Sequence, residues 1–222
     1  MSSLLKSNLA VASGTAMSRV SGLLRVMAFG YVLGRSSLTD AYNQANASPN
    51  LIYELALGGV LSATLVPLFT RLAHDRDDDG EVAVRSVAIV MLSVLTVVAV
   101  IAAPLIFRLY ATGTANTVDR DLYLEVGSTL TAFFLFQIFF YGLNALASAE
   151  LQARKRFFMA AWAPALSNVV VIVTLLMVPG MLDETAPGLD DVANSTSLRL
   201  TLGLGATVGI AVMALALIPP LV

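Results

Sequence analysis

The sequence contains no cysteine, a single histidine and a single tryptophan. Without cysteine, disulfide bonds, thiol nucleophiles and thiolate metal sites are excluded. The histidine, His74, stands in the charged stretch AHDRDDDGE, where a solvated side chain is expected rather than a zinc ligand. No pairing of a nucleophile with a base stands out along the chain. We therefore expect no metal, no cofactor and no enzymatic activity.

Charge is scarce as well. Charged residues make up 13% of the 222 residues and hydrophobic residues 57%, whereas a soluble domain carries about a quarter charged residues. The few charges are concentrated between long apolar runs, so the surroundings of this chain are mainly lipid. We expect membrane lipids, and no nucleic acid, as its neighbours.

Six apolar stretches are long enough to cross a bilayer, which takes about 20 residues of helix. They are residues 8–33, 46–72, 86–110, 122–147, 157–182 and 198–222. The sequence thus predicts an all-α membrane protein whose residues 1–222 form one lobe of six transmembrane helices. The chain stops at LIPPLV without a flanking charge, and we expect it to be part of a longer protein.

Lysine and arginine at the ends of the apolar stretches predict the orientation. If the N-terminus is inside, seven basic residues lie at inner ends: Lys6, Arg71, Arg76, Arg85, Arg154, Lys155 and Arg156. Four lie at outer ends: Arg35, Arg108, Arg120 and Arg199. This bias predicts that both termini are cytoplasmic.

The first span has two different faces when its residues are placed at about 100° per residue. The bulky stripe consists of Met17, Val20, Leu24, Met27 and Tyr31. The polar stripe opposite consists of Gly14, Ser18, Ser21, Gly22 and Arg25, with Arg19 at its flank. Lipid cannot satisfy the polar stripe, which must therefore face the helix bundle or a water-filled cavity.

The second span repeats this pattern. Spacings of three and four place four polar side chains on one face: Asp40, Asn43, Asn50 and Glu54. Pro49 removes a backbone donor within this face and predicts a bend, and Gly58 and Gly59 provide a second soft point.

Two hypotheses account for these intramembrane charges. In the first, they only neutralise one another, because Arg25 and Asp40 share an outer depth and Arg19 and Glu54 share an inner depth. In the second, they line a hydrated cavity that binds an anion, which also explains the additional asparagines. The predicted substrate-binding residues are then Arg19, Arg25, Asp40, Asn43, Asn50 and Glu54.

Three other stretches receive ordinary interpretations. Residues 75–81, DRDDDGE, are typical of a solvated inner loop. The aromatic run FFLFQIFFYG is typical of lipid-facing and packing surface, and Pro164 and Asn168 of helix packing. Gly205 and Gly209 form a small-xxx-small pattern that predicts close contact between helices.

Three segments of the chain resemble the N-terminal part of the MurJ (MviN) lipid II flippases, in the multidrug/oligosaccharidyl-lipid/polysaccharide exporter superfamily. They are SRVSGLLRVMAFGYVLG, TDAYNQANASPNLIYELALGGVLSATLVPLF and YGLNALASAELQARKRFFMAAWAPALSNVVVI, in an actinobacterial-like form. Two positions depart from the pattern of many members. Val26 replaces an acidic residue, and Tyr53 and Glu54 replace basic ones.

The resemblance implies a bundle of about fourteen helices in two lobes around a cationic cavity that opens alternately to each side. The implied substrate is the lipid-linked cell-wall precursor, flipped across the bacterial cytoplasmic membrane for peptidoglycan synthesis. The second lobe would be the chain's missing partner. The family's first-helix arginines correspond to Arg19 and Arg25, and its acidic residue at the start of helix 2 to Asp40.

Two alternatives remain at this stage. A cation-coupled drug exporter, or an exporter of another lipid-linked oligosaccharide, belongs to the same superfamily. The coupled exporter needs carboxylates deep in the first helix, which has none. A membrane scaffold without transport activity predicts full pairing of Arg19 and Arg25. The energy source, the headgroup and the oligomeric state do not follow from the residues.

Overall fold

The computed structural model describes residues 3–55, 59–111, 119–182 and 186–221, which are helical almost throughout and contain no strand. The prediction of an all-α fold is confirmed for these residues. Their helices are α1 (Ser3–Leu33), α2 (Ser37–Tyr53), α3 (Gly59–Asp75), α4 (Asp78–Ile101), α5 (Ala103–Tyr110), α6 (Arg120–Leu135), α7 (Gln137–Ala153), α8 (Phe158–Met177), α9 (Leu189–Asn194) and α10 (Thr196–Leu215). Short 3-10 turns follow α8 at Val178–Met181 and α10 at Pro219–Leu221.

Four helical segments are long and apolar enough to cross a membrane: Asp78–Ile101, Arg120–Ala153, Phe158–Met181 and Thr196–Leu221. They correspond to the last four predicted spans. In the region of the first two, α1 has 31 residues and contains both arginines, and α2 and α3 have 17 residues each. A multi-pass architecture is therefore confirmed, and the count of six spans stays a prediction.

A tight turn connects α1 to α2. Its Gly34 adopts a positive φ of 60°, which an L side chain rarely adopts. The hydroxyl of Ser36 then caps α2 by accepting a hydrogen bond from the Thr39 amide at 3.2 Å. Asp40 consequently lies in the first turn of α2, where a negative charge is favourable.

Two predicted spans are interrupted in the structure. The third divides into α4 and α5 at Ala102, because Pro104 in the first turn of α5 has no amide proton for the preceding ladder. The fourth divides into α6 and α7 at Phe136. There the hydroxyl of Thr207 donates to the Phe133 carbonyl at 2.9 Å, so a side chain from α10 enters the backbone ladder.

Glycines allow the central helices to approach closely. The most extensive packing is of α8 against both α1 and α10, followed by α2 against α6 and α3 against α7. A Cβ on Gly205 would lie 2.2 Å from Thr174 Cγ2, and one on Gly209 would lie 2.9 Å from Val171 Cγ2. The predicted packing role of both glycines is confirmed. These contacts bring α1, α2, α7, α8 and α10 around one space.

Candidate functional site

The bulky stripe of α1 faces outward. All five of its members are exposed, from 45% for Met17 to 77% for Tyr31. Large apolar side chains without protein neighbours are expected where a helix contacts lipid. The outward direction of this stripe fixes the opposite direction for the polar stripe.

Most of the polar stripe packs against α8. The side-chain amide of Asn168 donates to the Ser18 carbonyl at 3.2 Å and to the Ser21 hydroxyl at 3.0 Å. A Cβ on Gly14 would lie 2.7 Å from Trp162 Cδ1, so only glycine permits this approach. The stripe therefore faces the bundle as a packing seam, as expected for Asn168, and it reaches the cavity described below at its C-terminal end, at Arg25.

A cavity of about 260 Å³ begins where this seam ends. Its wall comes from five helices and is made of Arg25, Val26, Phe29, Tyr42, Asn43, Asn46, Gln137, Tyr141, Val171, Ala206 and Ile210. Arg25 is half-buried and is the one charged side chain in this lining. The remaining polar groups are neutral amides and phenols, so the cavity has a cationic side and a neutral polar side.

Two of the six predicted substrate-binding residues, Arg25 and Asn43, line the cavity. Arg19 and Asp40 are exposed and do not contribute to this lining. Asn50 and Glu54 lie further along α2, where the Asn50 amide donates to a carboxylate oxygen of Glu54 at 3.0 Å. The structure thus brings one predicted cation and one predicted amide together.

The geometry does not support the pairing hypothesis. Among the described residues, no acidic side chain lies within salt-bridge distance of Arg19 or Arg25, and Asp40 and Glu54 have no basic partner. Glu54 instead accepts the hydrogen bond from Asn50. Arg25 is therefore an uncompensated cation beside a cavity, an arrangement that favours an anionic ligand.

The predicted bend of the second span lies near an interruption of the helix. Pro49 is buried inside α2, which continues to Tyr53 before Glu54 and Leu55 adopt a wider π-helical turn. Gly59 begins α3, and Gly58 lies outside the described residues. The interruption thus comes one turn after Pro49.

On the neutral polar side of the cavity, Asn43 is a predicted residue, whereas Asn46 and Gln137 are not. Gln137 is 1% exposed and its amide nitrogen lies 3.4 Å from Asn46 Oδ1 and 3.5 Å from Thr207 Oγ1. Gln137 was assigned to a lipid-facing aromatic run, although a lone amide among six aromatic side chains is itself a sign of a buried polar role.

A charged cluster at the predicted inner end was missed as well. Its members are Glu81, Arg85, Glu150 and Arg154, and we call it the inner cluster. The interpretation of residues 75–81 as a solvated loop is wrong for Glu81, which is 5% exposed because α4 already begins at Asp78 and turns this carboxylate toward α7. Two of the four ion pairs of the inner cluster join residues four positions apart, and the two that connect α4 with α7 span 65 and 73 positions, so no local pattern reveals the connection between these helices.

Residues 29–222 match the family described as "Lipid II flippase MurJ". The chain is 33% identical over 182 residues to the probable lipid II flippase MurJ of Bdellovibrio bacteriovorus, covering 79% of this chain and 34% of that protein. It is 31% identical over 179 residues to the lipid II flippase MurJ of Burkholderia cenocepacia, again 79% and 34%. The chain spans about a third of the length of these curated relatives. It belongs to the MurJ family.

Proposed function

We propose that this chain acts in the transbilayer flipping of lipid II, with Arg25 holding the diphosphate of the substrate in the cavity. Family membership and four apolar segments make it a multi-pass protein of the bacterial inner membrane. The observation that carries the proposal is the half-buried guanidinium of Arg25, which has no acidic partner among the described residues and lies beside neutral polar groups of the cavity wall. The relatives named above as flippases supply the substrate class.

A guanidinium suits this role for geometric reasons. Its planar fork can donate two parallel hydrogen bonds to a pair of phosphate oxygens, and it keeps its charge at every physiological pH. A cation without a counterion in a poorly hydrated site gains more from an arriving anion than a paired cation does. The reaction needs no covalent step, so the protein is proposed to act as a transporter and not as an enzyme.

The remaining predicted residues form the path to the cavity in this proposal. Arg19 lies about 9 Å along α1 from Arg25, and it would receive the diphosphate before or after Arg25. Asp40 would orient Arg25 from the outer end, and Asn50 and Glu54 would contact the headgroup on the inner side. Alternating access, with one lobe rocking against another, would expose the path to each side in turn.

The alternatives receive less support. A cation-coupled exporter would need a carboxylate within α1, and this helix has no acidic residue. A scaffold without transport activity would pair its buried arginines, and Arg25 has no acidic partner in the part of the chain that the structure describes.

The proposal includes a cytoplasmic N-terminus, which can be tested on this cysteine-free chain. Asp78→Cys lies at the predicted inner side and Arg35→Cys at the predicted outer side, and both positions are exposed. An impermeant thiol reagent applied to intact cells should label position 35 and leave position 78 unlabelled until the cells are opened. The reverse pattern would contradict the orientation.

The function itself is tested by reconstitution. The intact gene product in liposomes should move fluorescent lipid II between leaflets, measured as protection from an impermeant quencher, whereas Arg25→Ala should not. Unlabelled lipid-linked oligosaccharides with other headgroups serve as competitors and define the headgroup. Absence of transport by a well-folded wild-type protein, or undiminished transport by Arg25→Ala, would contradict the proposal.

A further inference from the structure

Gln137 is the most deeply buried polar side chain in the wall of the cavity, with 1% of its surface exposed. It is the first residue of α7, directly after the interruption at Phe136. The anion-binding role proposed for Arg25 makes no use of it. An amide at this depth, in a run of aromatic side chains, calls for a physical reason.

One end of the Gln137 amide is held by the protein. Its nitrogen lies 3.4 Å from Asn46 Oδ1 on α2 and 3.5 Å from Thr207 Oγ1 on α10. The Thr207 hydroxyl in turn donates to the Phe133 carbonyl at 2.9 Å. Contacts to two other helices thus fix the orientation of the amide plane.

The other end of the amide is open to the cavity. Within the described residues, Gln137 Oε1 has no hydrogen-bond partner, and it is not among the fully buried atoms that lack one. Gln137 as a whole lines the cavity. Since Arg25 lines the same cavity, the free oxygen is an oriented acceptor in the wall of the proposed anion site.

We propose that Gln137 is a specificity-determining residue that accepts a hydrogen bond from a hydroxyl or amide N–H of the sugar next to the diphosphate. This inference rests on the proposed function, because Arg25 must hold the diphosphate for the sugar to reach the amide. A neutral acceptor gives nothing to the phosphate oxygens, which are themselves acceptors. The pair Arg25 and Gln137 thus selects an anion that carries a neutral donor group.

The size of the cavity agrees with a site in which Arg25 binds the diphosphate and Gln137 binds the adjacent sugar. Its volume of about 260 Å³ lies just below the usual range for drug-sized ligands, about 300–1,000 Å³. A diphosphate and part of one sugar fit such a space, and a complete headgroup does not. A buried site of this kind discriminates strongly between ligands with and without the donor group, because a ligand without the donor leaves the Gln137 oxygen unpaired.

The test compares two lipids that differ in the sugar. Binding of undecaprenyl diphosphate and of lipid II to the intact gene product in nanodiscs is measured by thermophoresis. Gln137→Met keeps the length of the side chain and removes the acceptor, and it should weaken lipid II binding about fivefold to tenfold while leaving undecaprenyl diphosphate binding unchanged. Gln152→Met, on the exposed side of the same helix, is the matched control and should change neither.

A second variant guards against loss of folding. Gln137→Asn retains an amide and withdraws its oxygen by one methylene, so it should show the same lipid II-selective loss. Equal effects on both lipids, or no effect from either variant, would overturn the role of Gln137 while leaving the function of Arg25 intact. Failure of the wild-type protein to bind either lipid would instead overturn the proposed function, and this inference with it.

Discussion

Arginines in two places in the protein differ in their partners. In the inner cluster, Arg85 contacts Glu150 through Nε at 3.1 Å and Nη2 at 2.8 Å, and Arg154 lies 2.7 Å from Glu81. The two carboxylates are 1% and 5% exposed. At the cavity, Arg25 has no acidic partner among the described residues.

The difference separates structural charges from charges available to a ligand. Two arginines and two glutamates balance in the inner cluster, and each carboxylate contacts both guanidiniums, so the cluster links α4 to α7. A paired buried ion gains little from a further ligand. An unpaired ion retains most of its attraction for an anion. Removing a paired charge should therefore lower stability, whereas removing the unpaired charge should impair ligand binding.

The largest effect is expected at the cavity. Arg25→Ala in the intact gene product should abolish complementation of a strain depleted of its own flippase, without loss of expression, because the only charged group in the cavity lining is removed. Arg25→Lys should also be impaired, since an ammonium keeps the charge and loses the planar fork. Arg108→Ala, at an exposed arginine of α5 outside this lining, should complement normally.

A double variant decides between binding and neutralisation. If Arg25 only balanced Asp40, removing both side chains together would restore function, because no uncompensated charge would remain. We expect Arg25→Ala with Asp40→Ala to remain inactive. If the double variant supported growth, Arg25 would be a structural charge that only balances Asp40, like the paired arginines of the inner cluster.

The second effect concerns the inner cluster. Glu150→Gln should lower the free energy of unfolding by about 1–3 kcal/mol, because it leaves an excess positive charge among buried groups. The lower part of the buried-pair range applies, since the side chains of Arg85 and Arg154 are 37% and 31% exposed and are partly screened. Denaturation of the purified protein in detergent measures the change.

Its controls separate pairing from general loss of a carboxylate. Glu125→Gln, at an exposed position of α6, should have no measurable effect, and Arg85→Gln added to Glu150→Gln should recover part of the loss. Ligand binding by folded Glu150→Gln should match the wild type. Weakened binding with unchanged stability would show that the inner cluster belongs to the ligand path.

Periodicity in the sequence predicted the features that depend on one helix. The bulky stripe of α1 is outward, and Gly205 and Gly209 allow close contact, because each follows from spacing along a single helix. The division of the polar stripe could not be predicted this way. The sequence of α1 does not show where its contact with α8 ends, and this point decides that Ser21 contacts α8 whereas Arg25 lines the cavity.

Residues that act across long sequence separations were missed for the same reason. Gln137 meets Asn46 and Thr207 at separations of 91 and 70 residues. Glu150 meets Arg85 at a separation of 65. Local sequence can indicate that a side chain such as Gln137 is buried, but only the packing of α2, α4, α7 and α10 brings the partners together.

A smaller effect is expected from a change in the packing seam between α1 and α8. A Cβ on Gly14 would lie 2.7 Å from Trp162 Cδ1 and 2.9 Å from Ala161 Cβ, whereas one on Gly30 would meet nothing within 4 Å. Gly14→Ala should therefore cost about 1–2 kcal/mol of stability through overpacking. Gly30→Ala, on the same helix, should stabilise by about 0.5–1 kcal/mol through helix propensity. Equal thermal stability of both variants would show that α1 and α8 do not pack as described.

The smallest effect is expected from an exposed pair that matches the inner cluster in spacing. Arg71 and Asp75 on α3 are four residues apart, like Glu81 and Arg85 on α4, but their side chains are 82% and 53% exposed and the atoms lie 3.6 Å apart. Water and salt screen such a pair, so Asp75→Asn should change the free energy of unfolding by less than about 0.5 kcal/mol. Glu81→Gln, at 2.9 Å from Arg85 and with a 6% exposed carboxylate, should cost several times more. Because both pairs share the same helical spacing, the ratio of the two effects reports the burial of Glu81 together with its second pairing, with Arg154, and a ratio near one would mean that the inner cluster is hydrated.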